Sequence, residues 1–345
     1  MDSLPQHAVA RIPYPQFNNF DLFDLQLTSS VLKNNPLGDS YRRHCPVLSP
    51  KGVDSEQLGL VFVLSGFAGN GTKYLADKGF DQTFMQQLDQ LVENQSAPKA
   101  HYLFVDAWTF WGGSQFINSP QTGRYEDYLL EELYPLAFKT LNIKSNQVAV
   151  VGHSSGGYGA LHLASKYPEH FPYCAATAPD CFFETSLLPD LYKAAPFLLQ
   201  NKSYLALKQL HRDRQILKQK NGFSIVNAIA MTACYSPKSK TKNLQWPIDF
   251  ATGRRNENIW KQWQSHDPVV FLPKRVRQLK KLKGLYLEVG HRDEFNLQFG
   301  VRQIHHHLKK AKVRHHYSEF SGGHFDNLER NPYLWQWLQN QWKKN

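Results

Sequence analysis

Gly152-His153-Ser154-Ser155-Gly156-Gly157 sets a serine between glycines two positions away on each side. The β-branched run at 147–151 precedes it and a helix-forming stretch at 158–166 follows it. Strand, tight turn and helix are the context in which Gly-x-Ser-x-Gly lifts a hydroxyl above a sheet, because small residues on both sides let the backbones approach closely. A hydroxyl is a weak nucleophile until a base takes its proton, so Ser154 needs a partner. A glycine-rich turn that only packs strand on helix would use the same glycines, but the flanking pattern favours Ser154 as nucleophile.

Such a turn calls for an acid and then a histidine, in that chain order, each in a loop after a later strand. Both are found. The apolar run 284–289 leads into Gly290-His291-Arg292-Asp293-Glu294-Phe295, and the run 313–320 leads into Ser321-Gly322-Gly323-His324-Phe325. His324 is therefore the candidate base and Asp293 the candidate acid, with Glu294 beside it and Asp180, in the loop after 173–178, as competing carboxylates. An oxyanion hole needs the amide after the nucleophile, that of Ser155, and a second from the loop after an early strand. Ser65-Gly66-Phe67-Ala68-Gly69 is that loop, with Phe67 or Ala68 as donor. His153, in the turn, and Trp108 and Trp111, in the aromatic and polar stretch 106–120, are candidates for the substrate wall; clustered tryptophans serve packing as often.

The elements that must position these residues alternate regularly. Strands are expected at 58–64, 101–105, 147–151, 173–178, 284–289 and 313–320, and helices at 82–92, 125–141, 158–166, 296–312 and 333–342. This order predicts an α/β fold with a mostly parallel central sheet and helices on both faces, its site at the carboxyl ends of the strands. Residues 56–178 and 274–345 would form the core. Residues 179–273 break the rhythm and read as a mainly helical cap or lid insertion. Residues 1–55, with six prolines, read as an arm or an extra strand or two.

The chain has 345 residues, and its mean hydropathy of -0.51 with 41% hydrophobic residues is that of a globular protein. No window approaches the ~18 apolar residues of a membrane span. An acidic residue near the start and no apolar run after it give no secretory signal, so a cytoplasmic location is expected. Cys45, Cys174, Cys181 and Cys234 lack ligand-like spacing and read as reduced, mostly buried thiols. The net charge is +11, and residues 270–320 carry twelve Lys or Arg against four acids. That region reads first as the solvated face of two helices, with an anionic substrate or an acidic surface as the sharper alternative and nucleic acid as the weakest. His305, His306, His307, His315 and His316 lie there too, and consecutive histidines point to different sides of a helix, so no metal site is expected.

The chain resembles the α/β-hydrolase superfamily and, within it, the Putative esterase family that includes esterase D, enterochelin esterase and feruloyl esterases. The resemblance rests on the turn at 152–157, on Gly123-Arg124-Tyr125-Glu126-Asp127-Tyr128, on 290–295 and on Gly322-Gly323-His324. It implies a Ser154, Asp293 and His324 triad acting on carboxylic esters through an acyl-enzyme, with no cofactor or metal. The same triad would serve an acyltransferase or a thioesterase, S-formylglutathione hydrolase included. A binding protein that uses the basic 270–320 face is the reading from another class.

Overall fold

The computed structural model describes residues 8–11, 17–76, 80, 82–237, 243–326 and 328–344. One nine-stranded sheet runs through it, from β1 (Ala8–Arg11), β2 (Phe20–Thr28) and β3 (Arg42–Pro50) to β4 (Leu60–Leu64), β5 (His101–Phe104), β6 (Val148–His153), β7 (Tyr173–Thr177), β8 (Gly284–Gly290) and β9 (His316–Phe320). The spatial order is β1-β2-β3-β5-β4-β6-β7-β8-β9. From β5 to β9 every neighbouring pair is parallel, whereas β1, β2 and β3 add antiparallel pairs at one edge. Residues 20–28 and 42–50 are thus full members of the sheet, paired over nine positions.

The central strands are buried along their whole length and mostly apolar, as strands covered on both faces must be. Two clusters of buried side chains lie on the two faces. One holds Phe62, Val150 and Leu287; the other, with Val61, Val151 and Tyr286, packs against Leu334, Trp335 and Leu338. The longer helices are α1 (Phe84–Glu93), α2 (Tyr134–Thr140), α3 (Ser155–Lys166), α4 (Leu188–Gln200), α5 (Tyr204–Arg212), α6 (Gly222–Tyr235), α7 (Glu257–His266), α8 (Leu297–Lys310) and α9 (Asn331–Lys343).

The expected helices and strands are present, with shifts at their ends. Thr83 caps α1 with a reciprocal bond to Gln86, which moves its start from the expected 82. The expected helix 125–141 begins as a short α-helical turn, passes through a π-helical segment at Tyr128–Leu133 and resumes as α2. Pro135, near the start of α2, has no N–H to donate to the preceding turn, which accounts for a break in the ladder there. Among the described residues no helix is long and apolar enough to cross a membrane.

Strand β4 has β5 on one side and β6 on the other, so the chain leaving β4 for β5 and the chain leaving β6 for β7 diverge at the carboxyl edge. A crevice opens where strand order reverses in this way. The loop after β4 and the turn after β6 meet there, and the loops after β7, β8 and β9 close it from one side.

Candidate active site

Ser154 stands between β6 and α3 with φ 59 and ψ -125, a region that L side chains rarely adopt. Holding a non-glycine residue there costs about 1–3 kcal/mol, which the surroundings must offset. Three backbone bonds do so: Ser154 N–H donates to Thr177 O (3.0 Å), and Ser154 O accepts from Tyr158 N–H (2.9 Å) and Asp180 N–H (3.3 Å). The flanking glycines are required by space. A Cβ on Gly152 would lie 2.2 Å from the Gly156 carbonyl carbon, and one on Gly156 would lie 2.1 Å from Leu64 O. Strand β4, the elbow and the first turn of α3 are therefore in backbone contact.

His324 and Asp293 come to this elbow from the loops after β9 and β8. His324 Nε2 is 3.0 Å from Ser154 Oγ, and His324 Nδ1 is 2.8 Å from Asp293 Oδ2. A carboxylate can only accept, so Nδ1 carries the proton and Nε2 is left as the acceptor for the serine hydroxyl. The other Asp293 oxygen accepts from the amides of Phe295 (2.9 Å) and Leu297 (3.4 Å), which fixes the carboxylate in its loop. Glu294, adjacent to Asp293, does not reach the imidazole ring; its Oε2 accepts the backbone N–H of His324 at 2.6 Å. Asp293 and His324 are both buried.

Asp180, the other competing carboxylate, also reaches Ser154. Its Oδ1 is 3.3 Å from Ser154 Oγ and its Oδ2 is 2.6 Å from Ser155 Oγ. Gln115, fully buried with φ 56, donates its amide to Ser155 Oγ at 2.9 Å. Burial pushes the Asp180 carboxyl above the usual carboxylate range, while the Ser155 hydroxyl, His324 and the Ser154 hydroxyl pull it back.

Phe67 and Ala68 line the same cavity as Ser154. A Cβ on Gly66 would sit 3.4 Å from Ser154 Cβ, and Gly113 N–H donates to Phe67 O at 2.8 Å, so the loop after β4 is held against the elbow. The Ser155 amide is the first of α3 and has no acceptor within its own helix. A group that develops negative charge beside Ser154 Oγ would find donors on that side.

The cavity holds about 300 Å³, enough for a small ligand group. Leu187, Phe223, Phe295 and Phe325 give it apolar walls, and Ser186 and Asn227 polar ones. Lys73 is an exposed cation on the same wall, a residue that the sequence pattern did not single out. His153 also lines it. Burial holds the His153 imidazole well below its ordinary value, the charges of His324 and Lys73 act in the same direction, and Nδ1 bonds Thr177 Oγ1 at 3.1 Å.

The two tryptophans are not part of this cavity. Trp111 is buried, donates its indole N–H to Tyr204 OH at 2.9 Å and packs on His211, so it joins the loop 106–120 to α5. Trp108 is partly exposed, and its carbonyl accepts from Arg43 and Tyr125. Packing accounts for Trp111, whereas the Trp108 side chain is exposed outside this cavity.

On the basic face, Arg275 is spent on the carbonyl of His162 and the hydroxyl of Ser165, and Arg302 pairs with Glu319. His305 and His315 bond each other at 2.9 Å. Among the described residues no three His, Cys, Asp or Glu side chains are grouped as a metal ion requires. The four cysteines are buried and unpaired.

Residues 41–328 match the family described as Putative esterase. S-formylglutathione hydrolase of Mus musculus is 26% identical over 143 residues, which are 39% of this chain and 51% of the relative. The enzyme of the same name from Rattus norvegicus is 25% identical over 140 residues, 38% of this chain and 50% of the relative. The chain thus spans about half the length of the curated relatives it matches. Among solved structures, the fluorophosphonate-binding serine hydrolase FphF of Staphylococcus aureus is similar with a TM-score of 0.56 at 16% identity, over 94% of this chain and 100% of that one. A ferulic acid esterase gives the same TM-score at 14% identity, with the same coverage. These two structures share the α/β-hydrolase fold with the chain.

Proposed function

The chain belongs to the Putative esterase family, and on that premise we propose that it is a serine hydrolase of carboxylic esters, with Ser154 as nucleophile, His324 as general base and acid, and Asp293 orienting His324. One observation carries the reading: a serine held at φ 59, 3.0 Å from an imidazole nitrogen whose partner nitrogen is 2.8 Å from a buried carboxylate. In the reaction Ser154 Oγ bonds to the ester carbon as its proton passes to His324 Nε2. The tetrahedral oxyanion is held by the Ser155 amide and that of Phe67 or Ala68. His324 then returns the proton to the departing alcohol, and the C–O bond to that alcohol breaks. Water, activated by the same imidazole, releases the acid and restores the serine.

Residues 179–273 serve here as a cap over the carboxyl edge, a role supported by Ser186, Leu187, Phe223 and Asn227 on the cavity wall. The ammonium of Lys73 on that wall favours an ester that carries a negative charge. The four buried thiols fit a cytoplasmic setting. Thioester hydrolysis is the second reading, favoured by the similarity to S-formylglutathione hydrolases, and the same triad would perform it.

The test is labelling of the purified protein with a fluorophosphonate probe, wild type beside Ser154→Ala and His324→Ala, with p-nitrophenyl acetate, butyrate and octanoate turnover in parallel. Wild type alone should be labelled and active, with turnover falling as the acyl chain lengthens. A well-folded wild type that takes no label would overturn the reading.

A further inference from the structure

Two acceptors face the single proton of Ser154. His324 Nε2 lies at 3.0 Å and Asp180 Oδ1 at 3.3 Å. The direction of the neighbouring bonds is fixed by chemistry. Gln115 can only donate through its amide nitrogen, so Ser155 Oγ accepts from it and points its own hydrogen at Asp180 Oδ2. Asp180 is thereby held as an acceptor, with one oxygen occupied by Ser155 and the other turned to the nucleophile. The carboxylate is buried, and burial works against its charge, so both hydroxyl donors matter to it.

Once Ser154 is acylated, one of those donors is gone. The Oγ has become an ester oxygen without a proton, and Asp180 Oδ1 faces it as oxygen against oxygen. We propose that Asp180 favours the free serine over the acyl-enzyme, and so speeds the release of the acyl group relative to its loading. The proposal rests on Ser154 being the nucleophile.

The balance is as follows. In loading, the Ser154 proton leaves through His324 to the alcohol, the Oγ–C bond forms and the C–O bond to the alcohol breaks, and Asp180 keeps its charge while losing a hydrogen bond. In release, water adds to the acyl carbon and gives a proton to His324, which passes it to Oγ as the Oγ–C bond breaks; Asp180 then regains its donor. The carboxylate takes no proton in either step. The titratable groups that act on it are His324 and Asp293, and acylation of Ser154 alters neither.

The experiment is rapid-mixing kinetics with p-nitrophenyl acetate, in which the initial burst and the steady rate give the acylation and deacylation constants. Asp180→Asn keeps the shape and can donate an amide hydrogen to the ester oxygen. Its ratio of deacylation to acylation should fall about tenfold, the worth of a charge-assisted hydrogen bond. Asp180→Ala, with neither charge nor donor, should show a smaller fall in the same direction. Ser155→Ala leaves Asp180 dependent on Ser154 alone, and its ratio should not fall. An unchanged ratio in the Asn and Ala variants, or an equal fall in all three, would overturn the proposal. If either Asp180 variant fails to fold, the other with Ser155→Ala decides. Fluorophosphonate labelling of the wild type separates this outcome from failure of Ser154 as nucleophile.

Discussion

Asp293 and Asp180 are two buried aspartates beside one serine and histidine pair, and they are held in opposite ways. Asp293 takes two backbone amides and an imidazole N–H, all from groups whose hydrogens cannot turn away. Asp180 takes the Ser155 hydroxyl and shares that of Ser154 with His324; both hydrogens rotate, and one of the hydroxyls reacts. Fixed donors make a carboxylate an orienting group; a donor that is consumed during the reaction makes it sensitive to the chemical state of the site.

The largest difference should appear in turnover. Asp293→Asn can present an amide to His324 Nδ1 and so select the wrong tautomer, and kcat should fall by about a thousandfold or more with little change in KM. Asp180→Asn should cost far less. Comparable losses in the two variants, measured on the same ester, would break the distinction.

Glu294 sharpens it from the side of the histidine. Its carboxylate holds the His324 backbone N–H at 2.6 Å, and a Cβ on Gly323 would lie 2.5 Å from Glu294 Oε1, so the histidine loop is seated on this side chain. Glu294→Ala should lower kcat about tenfold through a displaced imidazole while KM holds. A larger effect than that of Asp293→Asn would mean that the roles of the neighbours are reversed.

Stability should move in opposite directions. Asp293→Asn replaces a charge-assisted bond to the imidazole with a neutral one, and should destabilise the fold by about 1–3 kcal/mol. For Asp180 the sign follows from burial, which lifts its carboxyl above the ordinary value of 3.8. The folded state therefore binds the proton more tightly than the unfolded one, and that contribution is fully present below the ordinary value and is lost as pH rises through the raised one. Asp180→Asn removes the loss, so at about pH 7 its Tm should exceed that of wild type by on the order of 2 °C. The gap should narrow as pH falls through the raised value and close below the ordinary one of 3.8. A variant less stable than wild type at neutral pH would show the carboxylate to be a net structural asset.

The smallest effect concerns the tryptophan that was expected at the substrate wall. Trp111→Phe removes the bond to Tyr204, and should lower stability by about 1 kcal/mol while kcat and KM for p-nitrophenyl acetate stay within about twofold. A raised KM would return Trp111 to the substrate.

Much of this was legible in the sequence because it is local. Gly152 and Gly156 announce a turn that only glycines allow, and the apolar runs that become β4, β6 and β8 fix the sheet direction, so the loops bearing Ser154, Asp293 and His324 had to emerge at one edge. What escaped depends on side-chain direction in irregular loops. Asp180 could be recognised as a carboxylate near the site, but which atom it faces is decided by a loop in which Ala178 and Phe182 both have positive φ. Gln115, with positive φ of its own, is equally without a periodic signal. Trp111 packs against α5 instead of lining this cavity, because composition does not separate an aromatic that faces a cavity from one that faces a neighbouring helix. Lys73 was missed because a single lysine in a surface turn carries no pattern.

The central claim is that Ser154, not the adjacent Ser155, forms the covalent bond. Peptide-resolved mass spectrometry of the fluorophosphonate-treated protein tests this most directly. The expected result is one adduct, localised by fragment ions to Ser154 and lost in Ser154→Ala. An adduct on Ser155 or on any other residue, or none in a folded and otherwise intact chain, would contradict it.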